Sequence, residues 1–202
     1  MKFSIFSILA IFFCVASTFL SAQGEISDSS TGEVFPKDVS FEHDGKQFHL
    51  QATGVATRKK FFVKIYSVAH YLQDGAQKSG GDILQIIMQD DNAKQLTLKW
   101  VRNIEAEKVK EGYHDSFKGA LSELEFTQLQ NEINQYLLFF NTNIQKGDEH
   151  ILRWLPGGYV EVLINGNQVG NITNKDFAKA LWSIWFGAKS VVDRNNLISL
   201  AK

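Results

Sequence analysis

The longest run of strand-forming residues lies at positions 58–72, and the rest of the chain can be organised around it. Its content of Phe, Val, Ile and Tyr is typical of a β-strand. With a period of two, one face carries Phe61, Val63, Ile65, Ser67, Ala69 and Tyr71, and the other carries Phe62, Lys64, Tyr66, Val68, His70 and Leu72. Because both faces are largely apolar, the pattern predicts one central strand that is covered on both sides.

The second face mixes apolar side chains with larger polar groups. Tyr66 and His70 point the same way as Phe62 and Val68, with Lys64 one step before them. Such a mixture is typical of a pocket wall. The alternative interpretation is that Tyr66 and His70 are core residues whose hydrogen bonds are satisfied internally.

Turn residues divide the chain around this stretch. Asp44-Gly45 between alternating runs predicts a hairpin within residues 39–50. Residues 82–89 favour at most a short helix, and residues 95–102 return to strand alternation. Helical spacing of apolar residues follows over 106–121 and again over 127–144.

The last third of the chain predicts a meander and a closing helix. Strands are expected at 149–155, 159–164 and 168–172, because Pro156-Gly157-Gly158 and Asn165-Gly166 part them. Asn174 can cap a helix over 177–185 that ends at Gly187, and residues 192–200 would form the last helical turns. Together the elements predict one α+β domain, with an antiparallel sheet packed against a layer of helices.

The beginning of the chain has the pattern of a secretory signal peptide. Lys2 precedes an apolar run that is short for a membrane span, and small residues follow it, so we expect a signal peptide over residues 1–23. A flexible polar leader over 24–33 and a folded domain over 34–202 would then follow. Cleavage removes Cys14, the only cysteine. The expected location is periplasmic or secreted.

Composition excludes several classes of function. The full chain has a formal net charge of −1, which does not favour a nucleic-acid partner. No apolar run after the signal peptide is long enough for a stable membrane span. The five histidines lack the spacing of a metal site, and no glycine-rich phosphate loop precedes a helix, so neither a metal nor a cofactor is expected.

A set of motifs resembles a known family. They are Gly54-x-x-x-Arg58-x-Lys60-Phe61-Phe62-Val63-Lys64-Ile65-Tyr66, Ala69-His70-Tyr71-Leu72, Lys146-Gly147-Asp148, Leu155-Pro156-Gly157, Val162-x-Ile164-Asn165-Gly166 and Phe177-x-x-Ala180-Leu181-x-Ser183-Ile184-Trp185-x-Gly187. In order and spacing they resemble the chalcone isomerase-like proteins, specifically the exported bacterial branch, over residues 34–200. The resemblance implies the open-faced sandwich of that family.

The resemblance does not carry the plant enzymes' activity. In those enzymes an arginine after a Gly-Val pair steadies the phenolate, a threonine and a tyrosine hold the ketone through water, and an asparagine and a threonine contact the far end of the substrate. The matching positions here are, in that order, Ala56, Tyr66, Glu105, Gly112 and Ile184. None keeps the enzyme's residue.

Arg58 can replace the missing arginine. It lies eight residues before Tyr66, so an unbroken strand would aim both side chains at one face, whereas a bulge near Lys60 would not. An arginine beside a tyrosine in an apolar pocket suits a carboxylate, and fatty-acid-binding members of the family use such a pair.

The sequence thus predicts a non-catalytic binder of a small apolar carboxylate such as a fatty acid. Arg58, Tyr66, His70 and Ile184 are the predicted ligand-binding residues. One rival hypothesis is an intramolecular-lyase type of isomerase that acts on an enone-like molecule, with Tyr66 or His70 as general acid or base. Another is a structural protein whose own aromatic side chains fill the pocket.

Overall fold

The computed structural model describes residues 24–76 and 82–201. The predicted signal peptide over residues 1–23, with Cys14, lies outside the described residues. Within them, no helix is long and apolar enough to cross a bilayer.

The first described segment is an ordered hairpin. Strand β1 (Glu25–Ser27) pairs antiparallel with β2 (Val34–Pro36). The prediction of a flexible leader over 24–33 is therefore wrong. The reason is the Asp28 carboxylate, which accepts hydrogen bonds from Thr57, from Ser67 at 2.8 Å and from the Ser30 amide at 2.9 Å. Burial raises the pKa of Asp28, but these hydrogen bonds outweigh burial and lower the pKa below its usual value.

Seven strands form one antiparallel sheet in chain order. They are β3 (Asp38–His43), β4 (Lys46–Lys60), β5 (Val63–Gln73), β6 (Lys94–Trp100), β7 (Glu149–Leu155), β8 (Tyr159–Ile164) and β9 (Asn167–Thr173). Each strand pairs with the next one in the chain, so short turns connect most of the sheet. The strand prediction for 149–172 is confirmed to within one residue at each end.

The single strand predicted over residues 58–72 is wrong. The chain reverses at Phe61-Phe62. Residues 58–60 therefore end β4, and residues 63–72 belong to β5. Phe61 has a φ of +56° and no glycine, asparagine, aspartate or proline marks the turn. The strand propensity of two phenylalanines therefore conceals the reversal.

Helices cover one face of the sheet. They are α1 (Ile83–Gln89), α2 (Ala106–Ala120), α3 (Glu123–Gln128), α4 (Gln130–Leu137), α5 (Lys175–Phe186) and α6 (Arg194–Leu197). The helix predicted over 127–144 is wrong in its bounds. A capping box between Ser122 and Glu125 begins α3 earlier, and Leu129 leaves helical geometry with φ −99° and ψ 11°, which separates α3 from α4.

Two apolar clusters hold the layers together. The larger lies between the sheet and the helices, and it includes Val68, Leu98, Trp182 and Trp185. The smaller lies on the opposite face, where Phe35 of β2 packs with Ala69 and Tyr71 of β5. Strand β5 is thus buried on both sides. The predicted class, an α+β domain with an antiparallel sheet against a layer of helices, is confirmed.

Candidate functional site

A cavity of about 600 Å³ lies between the sheet and α2. Arg58, Lys60, Ile65, Tyr66 and Trp100 form its sheet wall, and Ile104, Val109, Gly112, Tyr113, Ser116 and Ile184 are among the residues that close the other side. The volume is in the range of small-molecule sites. The cavity can therefore hold a ligand of moderate size.

Arg58 and Tyr66 face each other across two strands. They are register partners in the β4–β5 ladder, and both side chains line the cavity. The sequence predicted a shared face for them from parity along one unbroken strand. The structure gives a shared face for a different reason, because residues directly opposite in an antiparallel pair project to the same side.

A bulge at Thr53 determines which side Arg58 faces. Ala52 pairs with Tyr71, whereas Gly54 pairs with His70, so Thr53 is an extra residue in β4. The extra residue reverses the alternation of β4 relative to β5. Before the bulge, Ala52 projects to the same side of the sheet as Tyr71. Beyond the bulge, Arg58 projects to the opposite side, with Tyr66, and lines the cavity.

His70 holds this bulge and does not line the cavity. Its Nδ1 lies 2.7 Å from the Thr53 hydroxyl, which donates to the Leu197 carbonyl oxygen at 2.6 Å. The His70 ring is fully buried and packs edge-on to Phe186 with 4.6 Å between ring centroids. Burial holds the pKa of His70 well below its usual range, so the ring is neutral. The structure thus places His70 behind the site, where it positions Thr53.

The two cavity-wall groups are held by different partners. Nη1 of Arg58 donates to the Val191 carbonyl oxygen at 2.9 Å. The Tyr66 hydroxyl accepts from Nε1 of Trp185 at 3.1 Å. Among the described residues, no acceptor is present for the proton of the Tyr66 hydroxyl. Both groups therefore retain donors for a ligand.

Tyr66 stays protonated at neutral pH. Burial raises the pKa of Tyr66 to about 12, although the Arg58 charge and the Trp185 hydrogen bond oppose that shift. A protonated phenol beside a guanidinium is a hydrogen-bond donor. The pair is chemically suited to an anionic oxygen.

Charge is distributed unequally around the cavity. Its sheet side carries Arg58 and Lys60, and Arg102 follows β6. Its α2 side carries Glu111 and Asp115, and Lys108 on that helix is paired with Glu111 at 2.8 Å. An anionic head group is therefore favoured on the sheet side of the cavity.

The positions that correspond to the plant enzymes' residues are also located. Glu105, Gly112 and Ile184 line the cavity together with Tyr66. Ala56 is buried in the core between the sheet and the helices. Four of these five positions therefore line one cavity, and none of the four carries the plant enzymes' residue.

Sequence reasoning missed several residues around the site. Trp100, Arg102 and Tyr113 line the cavity, and Trp185 binds the Tyr66 hydroxyl. Trp100 and Arg102 lie within a predicted strand, and Tyr113 lies on the apolar face of a predicted helix. Each pattern located the element, but contacts between elements determine which side chains reach the cavity.

The cavity is backed by buried polar groups. The Tyr113 and Tyr136 hydroxyls are buried there, and within the described chain Nε1 of Trp100 and both ring nitrogens of His150 have no hydrogen-bond partner. The two tyrosine rings stack edge-on with 5.1 Å between centroids. Burial raises the pKa of Tyr113 and of Tyr136 and lowers the pKa of His150 to about 4, so all three groups are neutral at pH 7.

No group of three His, Cys, Asp or Glu side chains suited to a metal ion is present in residues 24–76 and 82–201.

The sequence profile of the chalcone isomerase-like family matches residues 30–195. The chain belongs to that family. Among solved structures, this chalcone isomerase-like protein is similar to a fatty-acid binding protein of Arabidopsis thaliana, with 16% identity and a TM-score of 0.74. The match covers 88% of this chain and 97% of the plant protein, and at this identity it shows the fold alone. No curated protein matches the sequence.

Proposed function

We propose that this chalcone isomerase-like protein binds a small apolar carboxylate, such as a fatty acid, with Arg58 and Tyr66 as the head-group ligands. One observation carries the proposal: the two side chains oppose each other across β4 and β5 on the wall of a cavity of about 600 Å³.

The head group would be held by charge-assisted hydrogen bonds. A guanidinium offers five N–H donors, and Nη1 of Arg58 donates to the Val191 carbonyl oxygen. That bond fixes the side chain while other donors face the cavity. The Tyr66 hydroxyl supplies a further donor, so the two residues can hold both oxygens of a carboxylate.

The tail would lie against the apolar part of the lining. Ile65, Trp100, Val109 and Ile184 contribute hydrophobic side chains to the cavity. Burial of an alkyl chain there is favourable in proportion to the apolar area removed from water. In this arrangement Ile184 contacts the tail and takes no part in head-group binding.

The structural neighbour supports this class of ligand. It is described as a fatty-acid binding protein and shares the fold of this chain, which supports a fatty acid as the class of ligand. The Arg58 and Tyr66 pair supplies the support that comes from this chain itself.

The experiment is native mass spectrometry of the purified protein, followed by organic extraction and titration with palmitic acid. We expect a bound acid in the natural protein. Arg58→Ala should weaken binding about 10- to 100-fold, because hydrogen bonds to charged groups contribute about 1.5–3 kcal/mol. Tyr66→Phe should weaken it about 3- to 10-fold, since one hydrogen bond to the ligand is lost.

Two controls make the result specific. Arg194 also donates to backbone carbonyls, those of Phe186 and Gly187, but it does not line the cavity, so Arg194→Ala should leave affinity unchanged. The natural protein should bind palmitic acid methyl ester more weakly than palmitic acid. Arg58→Ala should bind the ester and the acid with equal affinity. A natural protein that binds neither compound would refute the proposal.

The same variants test the rival isomerase hypothesis. Tyr66 is protonated and lies in the cavity, which is the state that a general acid requires. Turnover of a chalcone-like enone that disappears in Tyr66→Phe would establish catalysis. His70 lies outside the cavity. We therefore expect substitution of His70 to change the turnover rate only through a loss of protein stability.

Export is a separate part of the proposal. Residues 1–23 have the charge, apolar run and small-residue end of a cleaved signal, and they support a periplasmic or secreted location and membership of the exported bacterial branch. Cell fractionation and the intact mass of the isolated protein test it. A cytoplasmic protein with an uncut N-terminus would contradict export without affecting ligand binding.

A further inference from the structure

The turn between β4 and β5 exposes an unusual amount of aromatic surface. We call residues 59–64 the hairpin tip. Phe61 is 88% exposed, Phe62 is 99% exposed and the adjacent Val63 is 45% exposed. Three contiguous apolar residues on a projecting turn are a typical sign of an interaction surface, whereas single exposed apolar residues are ordinary.

The charges of the hairpin tip all have one sign. Lys59, Lys60 and Lys64 flank the two phenylalanines, and residues 58–64 contain no acidic side chain. All three lysines are exposed. The Lys64 ammonium donates to the Ser30 carbonyl oxygen, which holds this side chain beside the turn. The exposed surface of the hairpin tip is therefore an apolar patch flanked by lysines.

The backbone of the turn indicates that these aromatics are not the best choice for folding alone. Lys60 pairs with Val63, so the loop has two residues, and Phe61 holds a φ of +56°. Positive φ disfavours a bulky residue, and glycine is preferred at the first position of such a turn. The chain thus accepts backbone strain at a residue that is 88% exposed.

We propose that the hairpin tip docks the protein on an anionic lipid bilayer, with Phe61 and Phe62 inserted at the level of the head groups. Aromatic and aliphatic side chains with a lysine-rich surround are the combination that binds such interfaces. Each lysine near an anionic surface adds attraction, and the apolar pair adds burial that a charged surface alone lacks.

Other occupants fit the hairpin tip less well. A second copy of this chain would bring the lysines of one tip against those of another. Two phenylalanines and a valine also give far less area than a stable protein dimer needs. An acidic protein partner would match the lysines, but its binding would not require membrane lipid, and the experiment separates these cases.

The hairpin tip lies next to the cavity, which connects membrane docking with ligand binding. This connection rests on the proposed function. Lys60 belongs to both the tip and the cavity lining, and Arg58 and Tyr66 stand within a few residues of the turn. A protein docked by this tip would hold its cavity mouth at the membrane surface. A fatty acid could then pass between bilayer and cavity without crossing open water.

The test is co-sedimentation with two kinds of vesicle. One is phosphatidylcholine alone, and the other is phosphatidylcholine with about one-third phosphatidylglycerol. The natural protein should bind the anionic vesicles, and high salt should weaken that binding. Phe61→Gly combined with Phe62→Ser should weaken binding at least tenfold, and glycine suits the positive φ, so the variant should fold. Lys59→Gln combined with Lys64→Gln should weaken binding severalfold, and it leaves Lys60 in the cavity wall.

Matched controls remove the same number of exposed groups elsewhere. Leu124 and Leu138 are 68% and 70% exposed on the helical layer, so Leu124→Ser with Leu138→Ser tests general hydrophobicity. Lys146→Gln with Lys179→Gln tests general charge. Both double variants should bind like the natural protein. All proteins carry the same N-terminus, verified by intact mass, because residues 3–19 would bind vesicles if retained.

A local readout completes the test. A fluorophore attached to Phe62→Cys, in a chain whose only natural cysteine is changed by Cys14→Ser, should shift to the blue on anionic vesicles. No shift, equal loss of binding in a control variant, or a tip-dependent dimer in sedimentation analysis would overturn the proposal. Palmitic acid binding in the absence of vesicles is scored separately, so failure of docking and failure of ligand binding are distinguishable.

Discussion

The two hairpin turns at the ends of β4 each reverse the chain with two residues, but the residue types differ. The first uses Asp44 and Gly45, with φ of 48° and 71°, which are residues that tolerate positive φ. The second uses Phe61 and Phe62, of which Phe61 has positive φ and both are exposed. The first turn is explained by folding, whereas the second departs from folding preferences beside the candidate site. A local conflict of this kind marks a place where function is expected.

The largest expected effect lies between the two turns, at Gly54. A Cβ at this position would overlap the backbone of Asn196 and Leu197, which pack directly on the bulge that aims Arg58. Gly54→Ala should lower the free energy of unfolding by about 3 kcal/mol, because overpacking against backbone has no cheap relief. Urea denaturation measures this change. Gly119→Ala in α2, where a Cβ meets nothing, should cost nothing; equal effects would contradict the close-approach argument.

Acid should destabilise the sheet without changing the contrast between the turns. Burial lowers the pKa of His150 to about 4 from an ordinary value of 6.5, so the unfolded chain takes up the proton first. Stability is full above about pH 6.5 and falls as the pH drops towards 4. At pH 5 the His150 contribution amounts to a loss of about 2 kcal/mol.

Denaturation curves at pH 7 and pH 5 check the acid prediction. His150→Phe, which keeps a ring between Trp100 and Phe140, should lose less stability between the two values. Phe61→Gly should lose as much as the natural protein, because neither phenylalanine nor glycine has a titratable side chain. A pH loss that His150→Phe leaves unchanged would place the sensitivity elsewhere.

The first turn should respond to loss of its glycine. Gly45 has positive φ and open space around its Cβ position, so only backbone strain opposes a side chain there. Gly45→Ala should lower the free energy of unfolding by about 1 kcal/mol. Thermal unfolding measures it, and ligand affinity should stay the same. A neutral result would mean that the turn relaxes, which would weaken the contrast between the turns.

The second turn should respond in the opposite direction. Phe61→Gly relieves the positive φ and removes a side chain that buries little surface, so it should raise the free energy of unfolding by about 0.5 kcal/mol. Phe62→Ala is the control, since Phe62 has no positive φ and should be neutral. If Phe61→Gly destabilised the protein instead, the aromatic ring would have a folding role and the proposed conflict would disappear.

Turn chemistry also explains how much of the fold could be predicted from the sequence. Asp44-Gly45, Pro156-Gly157-Gly158 and Asn165-Gly166 mark reversals with residues that such turns require, so β3 and β7 to β9 were predicted closely. Asn174 was predicted as a helix cap, and its side chain accepts hydrogen bonds from the amides of Asp176 and Phe177. The Phe61-Phe62 reversal carries no such mark, and alternation alone continued the strand through it.

The candidate site was less predictable because long-range contacts shape it. The cavity side of Arg58 depends on the bulge at Thr53, and the Thr53 hydroxyl is fixed by Leu197, 144 residues away in the chain. The histidine predicted as a ligand, His70, belongs to this support. Order in the predicted leader similarly depends on Asp28 meeting Thr57 and Ser67. No local pattern contains these pairings.

The indole that holds the Tyr66 hydroxyl gives the protein an optical reporter of its own. Trp185 contacts Tyr66 and Trp100 lines the cavity, whereas Trp154 and Trp182 pack edge-to-face with 5.5 Å between ring centroids in the core. A ligand that reaches Tyr66 should therefore change the emission of the first pair, and denaturant should change the emission of all four tryptophans. Intrinsic fluorescence can follow occupancy and unfolding as distinct signals in an unlabelled protein.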